Sequence, residues 1–134
     1  LFFFIALMTG HFLGGIFLNL ISPKKFLVIT ATVSLAGIAG LFITPTVVAA
    51  FILIFVIGLG FANVFPLIFS ISVDSMPERT NEISGLMITA IIGGALVPML
   101  FGLVADLSGI TLAFVVPAAC LLYTLIVALR LLRS

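Results

Sequence analysis

The chain has 134 residues, of which 64% are hydrophobic and 7% charged, with a net charge of +1 and a mean hydropathy of +1.58. Globular domains carry about 25% charged residues, so this composition cannot build a water-facing surface and excludes a soluble protein. A single cysteine, Cys120, rules out an internal disulfide and supplies no metal framework.

Five apolar runs follow one another, each closed by polar or proline-glycine punctuation. The first, residues 1–21, stops at the Ser-Pro-Lys-Lys of 22–25. It starts at Leu1 with no methionine and no basic segment before it, and is too long for a signal sequence, so the chain is expected to be a piece of a longer protein. The second run, 26–43, ends at Thr-Pro-Thr. The third, 47–73, leads into the polar stretch 74–82, the fourth spans 83–107, and the fifth spans 112–132. At a rise of about 1.5 Å per residue each can cross a hydrocarbon core of about 30 Å. Strand-type alternation does not persist, so the expectation is an all-α membrane protein with five spanning helices and no β-barrel.

The basic residues set the expected orientation. Lys24 and Lys25 lie between runs one and two, Arg79 between three and four, and Arg130 and Arg133 at the end of run five. In an alternating topology all of these fall on one side, which the positive-inside rule makes cytoplasmic. The C-terminus is then cytoplasmic, and the start of the first run lies outside.

Prolines and glycines interrupt the runs as they do in transporters. Ala90, Gly94, Pro98 and Gly102 recur every four residues, a ridge of small side chains that lets another backbone come close. Pro98 frees the carbonyl of Gly94, and Pro66 that of Ala62, so each can kink its helix. Plain helix packing uses the same residues and stays open beside a transport role. In run three, Gly60, Asn63, Leu67 and Ser70 share one stripe with Phe65 and Pro66 nearby. An amide and an aromatic face together suit a hydroxyl-rich ligand in a cavity. A hydrogen bond from Asn63 to a neighbouring helix, worth about 0.6 kcal/mol on average, is the other reading.

The four acids, Asp74, Glu78, Glu82 and Asp106, lie in loops or at a helix end, so no carboxylate is placed in the interior of a run to carry a proton. Asp106 and Gly109 read first as a helix terminus. Catalytic motifs, paired metal ligands and phosphate-cradling glycine loops do not occur, which points away from an enzyme and implies no cofactor or metal. A basic surface for nucleic acid is likewise missing.

The stretch Gly10 to Leu27 resembles the eighth helix and following loop of major facilitator superfamily transporters. Gly15, Asn19, Leu20, Ser22, Lys24 and Lys25 occupy the positions of that superfamily's loop motif, with its Asp, Arg and second glycine replaced. The segment 60–109 is similar to helices ten and eleven of the fucose/galactose/glucose permease family. The matching residues are the Phe-Pro-x-Ile-Phe-Ser core at 65–70, Ser-Gly-Leu at 84–86, the Gly-Gly-Ala before Pro98, and Ala105-Asp106. The resemblance assigns the runs to helices eight to twelve of twelve. It implies a sugar–proton symporter of the bacterial inner membrane, working by alternating access with an N-terminal half that lies outside this chain. Under that likeness Phe65 and Asn63, with Gly60, are candidate cavity residues. A transporter of another solute, such as a drug exporter, keeps the same fold, and a non-transport membrane scaffold is a third reading.

His11, the one histidine, falls about halfway along the first run and so near the bilayer midplane, with Gly15 and Ser22 on its face and Asn19 adjacent. Family members usually carry arginine there. A structural hydrogen bond, cavity lining and a proton relay are the competing roles.

Overall fold

The structure, a computed structural model, describes residues 1–133, and every regular element among them is helical. The expected all-α architecture is what forms. In chain order the helices are α1 (Phe2–Phe17), α2 (Pro23–Ile43), α3 (Val47–Ala62), α4 (Val64–Ser75), α5 (Thr80–Ser108), α6 (Ile110–Ala113) and α7 (Val115–Arg133), with a 3₁₀ turn at Pro77–Arg79. Four stretches are long and apolar enough to cross a membrane: Pro23–Ile43, Val47–Ser75, Pro77–Ser108 and Ile110–Arg133.

The boundaries differ from the sequence reading where local chemistry intervenes. α1 stops at Phe17, because Asn19 and Leu20 give their N–H groups to Ile16 and Phe17 in a tight turn. Its 16 residues reach roughly 24 Å at the helical rise, and the turn carries the chain onward. α2 begins at Pro23, earlier than the apolar run, since proline is preorganised for the first helical position and Ser22 ahead of it is extended (φ −61°, ψ 142°). It ends before Thr44, which precedes Pro45 and is pushed out of helical geometry.

Two runs that look continuous by hydropathy are broken. α3 ends at Ala62, Asn63 turns (φ −94°, ψ −3°), and α4 resumes at Val64. Pro66 is the cause: it has no N–H to return to the carbonyl of Ala62 four residues earlier. The same offset recurs at Pro117, where α6 ends at Ala113 and α7 starts at Val115. Pro98 does not break its helix, and α5 runs through it from Thr80 to Ser108. Gly109, between α5 and α6, takes φ +92°, a conformation a side chain would resist.

α3 lies between α1 and α2, and α2 also packs on α4 and α7. One core cluster joins the start of α2 (Phe26, Leu27), α4 (Val64, Leu67, Ile71) and the end of α7 (Ala128). A second joins Ile38, Ile57 and Leu121 at the other end. The start of α2, the end of α4 and the end of α7 therefore meet at one end of the bundle, bringing Lys24, Lys25, Arg79, Arg130 and Arg133 to it. α5 is the least packed helix: Ile83 is its one buried residue among those described. A Cβ at Gly94 or Gly102 would meet nothing within 4 Å, so the ridge at Ala90, Gly94, Pro98 and Gly102 has no partner helix among the described residues.

Candidate substrate groove

Gly60 and Asn63 sit where α3 lies close against α2 on one side and α1 on the other. Close approach is built from small side chains, because without a hydrophobic drive between helices in lipid, backbone contact and hydrogen bonds supply the cohesion. A Cβ at Gly60 would overlap the Ser34 hydroxyl and lie 2.8 Å from the Thr30 carbonyl oxygen, so α2 rests directly on α3 there. The fully buried Ser34 donates its hydroxyl to the Ile57 carbonyl at 3.2 Å, tying the same pair of helices. On the opposite side, a Cβ at Gly10 would come within 2.8 Å of the Ala62 Cβ and 2.9 Å of the Leu59 carbonyl oxygen.

Asn63 completes this contact. It is 6% exposed and donates Nδ2–H to the Gly10 carbonyl oxygen at 2.8 Å, across 53 residues of chain. A methyl group at Gly14 would overlap its amide, so Gly14 is the seat on which Asn63 lies. Gly60 and Asn63 also border a groove of about 200 Å³ with Gly10, Gly14 and Thr30. Its remaining walls are apolar, and Phe17 and Phe26 stand 6.0 Å apart, centroid to centroid, within it. Thr30 gives its hydroxyl to the Leu27 carbonyl at 3.1 Å. With one amide N–H committed to Gly10 and the carbonyl end over Gly14, the groove offers little unspent hydrogen-bonding capacity.

The other candidates lie elsewhere. Phe65 is two residues from Asn63, roughly 200° around a helix, so it points away from α1. At 45% exposed it lines a separate hollow of about 300 Å³ between α4 and α5 with Phe69, Ser84 and Met87. Leu67 is fully buried against α2 in the first core cluster, and Ser70 makes a long hydrogen bond to Asp74 at 3.4 Å. His11 is exposed on α1 and lines neither hollow; its Nδ1–H donates to the Leu7 carbonyl at 2.7 Å within its own helix. Of the stripe Gly60, Asn63, Leu67 and Ser70, the first two share the groove with α1 and α2, Leu67 packs into the core, and Ser70 lies beyond them.

The loop-motif positions divide as well. Gly15 is exposed with nothing near its Cβ position, and the amide of Asn19 reaches back to the Gly15 carbonyl at 3.5 Å. Lys24, half-buried, lines a cavity of about 320 Å³ with Ser22, Asp74 and Ser75, while Lys25 is exposed. Arg79 approaches Glu82 at 4.0 Å on the surface. No group of three His, Cys, Asp or Glu side chains gathers among the described residues.

Sequence reasoning does not single out Ser34, Thr30 or Gly14 as parts of this contact, nor Pro117 as the mark of a break. The signal for the first three is present as small residues four apart, Gly10 with Gly14 and Thr30 with Ser34, a spacing that marks close helix contacts.

Apolar helices of this length define an integral membrane protein. The chain is 38% identical over 130 residues to a provisionally named glucose/galactose transporter of Helicobacter pylori, covering 92% of this chain and 31% of that protein. It is 36% identical over 118 residues to a glucose/galactose transporter of Brucella abortus, covering 87% of this chain and 28% of that one. The chain thus spans less than a third of the length of the curated relatives it matches. No family profile matches the chain, and no solved structure does.

Proposed function

We propose that this chain is part of a sugar transporter carrying a hexose such as glucose or galactose, working as a proton symporter by alternating access in the fashion of the major facilitator superfamily and, within it, the fucose/galactose/glucose permeases. The observation that carries the reading is the 36–38% identity to glucose/galactose transporters, which runs through 87–92% of the chain. The gathering of all five basic residues at one end of the bundle supports a cytoplasmic position for that end and for the C-terminus, in a bacterial inner membrane.

In this reading the exposed ring of Phe65 stacks on the apolar face of the sugar, while Asn63 and Gly60 shape the span behind it. The hydroxyl partners of the sugar and the proton-carrying carboxylate come from the rest of the longer protein. Uptake of labelled glucose by cells expressing the full-length protein, with and without a protonophore, tests this. Saturable accumulation abolished by the protonophore is expected. Accumulation insensitive to it removes the proton coupling, and failure to take up glucose removes the sugar. The nearly apolar walls of the groove favour a second reading, export of an apolar solute, which predicts resistance to hydrophobic drugs in place of sugar uptake.

A further inference from the structure

The groove between α1 and α2 is lined for hydrocarbon. Its polar groups are spent inside the protein, Asn63 on the Gly10 carbonyl and Thr30 on the Leu27 carbonyl. Leu13 and Phe17 form the α1 wall, and Ile29 and Val33 the α2 wall. All four are exposed, so the groove opens sideways toward the bilayer between two apolar rims. A helix about 10 Å across and 5.4 Å in pitch fills roughly 400 Å³ per turn. The groove holds about 200 Å³, so a single flexible chain fits in it and a helix does not.

A positive charge stands at one mouth of this groove. Lys25, Ile29 and Val33 follow at four-residue intervals on α2, which puts Lys25 one turn beyond the rim on the same side of the helix. Lys25 is exposed, and among the described residues neither it nor Lys24 forms an ion pair. No acid lies in the segment 18–25 that joins α1 to α2. From Lys25 to Val33 the helix rises about 12 Å, which is within the roughly 15 Å that one leaflet contributes to a hydrocarbon core of about 30 Å.

We propose that this groove seats one acyl chain of an anionic phospholipid of the cytoplasmic leaflet, with its phosphate held at Lys25. Burial alone selects nothing, because lipid tails are as apolar as the walls. Packing along a fixed groove holds the chain, and the ammonium group chooses the headgroup. One basic residue near an anionic membrane surface contributes a roughly fivefold preference. The inference takes from the transport reading only that the basic end of the bundle is cytoplasmic.

Native mass spectrometry of the purified full-length protein tests the headgroup, using phosphatidylglycerol and phosphatidylcholine of identical acyl chains. Lys25→Gln is expected to weaken retention of phosphatidylglycerol roughly fivefold and to leave phosphatidylcholine unchanged. Lys25→Arg and Arg133→Gln are expected to match the parent. Unchanged retention in Lys25→Gln overturns the proposal. An equal loss in Arg133→Gln also overturns it, by making the attraction a property of the whole basic end.

A phosphatidylglycerol carrying a photoreactive diazirine on its acyl chain tests the groove. Crosslinks are expected on residues 10–17 and 26–33, and Ile29→Trp, which adds bulk at an exposed rim, is expected to abolish them. Crosslinks spread evenly over the exposed faces, α5 included, or untouched by Ile29→Trp, overturn the seat. Lipid retention is read without transport. Failure of glucose uptake therefore overturns the sugar reading alone, and retention independent of Lys25 overturns this proposal alone.

Discussion

Gly60→Ala is the sharpest test of the contact between α2 and α3. The added methyl group would overlap the Ser34 hydroxyl, lie 2.8 Å from the Thr30 carbonyl oxygen and 3.1 Å from the Ser34 nitrogen. Two of these three atoms are backbone and cannot rotate away, so α2 must shift as a unit. Overpacking of this kind costs roughly 1–3 kcal/mol. Parting the helices also lengthens the Ser34–Ile57 hydrogen bond, worth about 0.6 kcal/mol in a membrane protein. Together these give roughly 1.5–3.5 kcal/mol, a ten- to three-hundred-fold fall in the folded-to-unfolded ratio. Equilibrium unfolding of the purified full-length protein in micelles measures it. Ser34→Ala alone loses only the hydrogen bond, and combined with Gly60→Ala it removes the closest overlap. The double variant should therefore be less unstable than the sum of the singles by at least about 0.5 kcal/mol. Additive effects, or a Gly60→Ala protein as stable as the parent, would refute backbone-close packing of α2 on α3.

Three further outcomes follow from where the other candidates lie. Phe65→Ala is expected to raise the KM for glucose several-fold with Vmax within about twofold, while Phe65→Tyr, which keeps the aromatic face, stays near the parent; transport kinetics in vesicles check both. His11→Gln is expected to leave the pH profile of uptake unchanged, since the ring nitrogen bonded in the structure serves the Leu7 carbonyl of its own helix; a shifted profile would assign His11 to the proton path. Gly94→Leu adds a side chain at a position where a Cβ would meet nothing within 4 Å. It is expected to leave folded yield intact and, on the proposal that the small-residue ridge of α5 seats a helix from the rest of the protein, to lower uptake; unchanged uptake would leave that ridge facing lipid.

The helical class and four of the five expected spans were legible because hydropathy integrates over about 20 residues and the chain's charges fall between the runs or at their ends, while α1 proved shorter than its apolar run. The breaks at Asn63 and Phe114 were harder to read. A helix interrupted inside hydrocarbon keeps its apolar composition on both sides, so the average does not dip. Proline offset by four residues was the available sign, and it is not sufficient alone: Pro66 and Pro117 stand after breaks, whereas Pro98 lies inside an unbroken helix. The tertiary setting separates the cases, with Asn63 bonded to α1 and Phe114 set edge-on against Phe101 at 5.2 Å. Two residues of the polar stripe of run three, Gly60 and Asn63, lie at the close helix contact, but a stripe has no label for what faces it. That Gly60 meets Ser34, and Asn63 meets Gly10 and Gly14, depends on pairings across as many as 53 residues of chain, which periodicity along one helix does not carry. The opposed placement of Asn63 and Phe65 follows from helix geometry, yet which of them turns toward α1 was settled only by the packing.

Whether the protein to which this chain belongs carries a hexose is tested most directly in reconstituted vesicles. With the full-length protein in liposomes and an inward proton gradient imposed, labelled glucose should enter saturably, above protein-free vesicles, and unlabelled galactose should compete with it. Vesicles that retain no more glucose than the protein-free control, or uptake that galactose leaves untouched, would contradict the account.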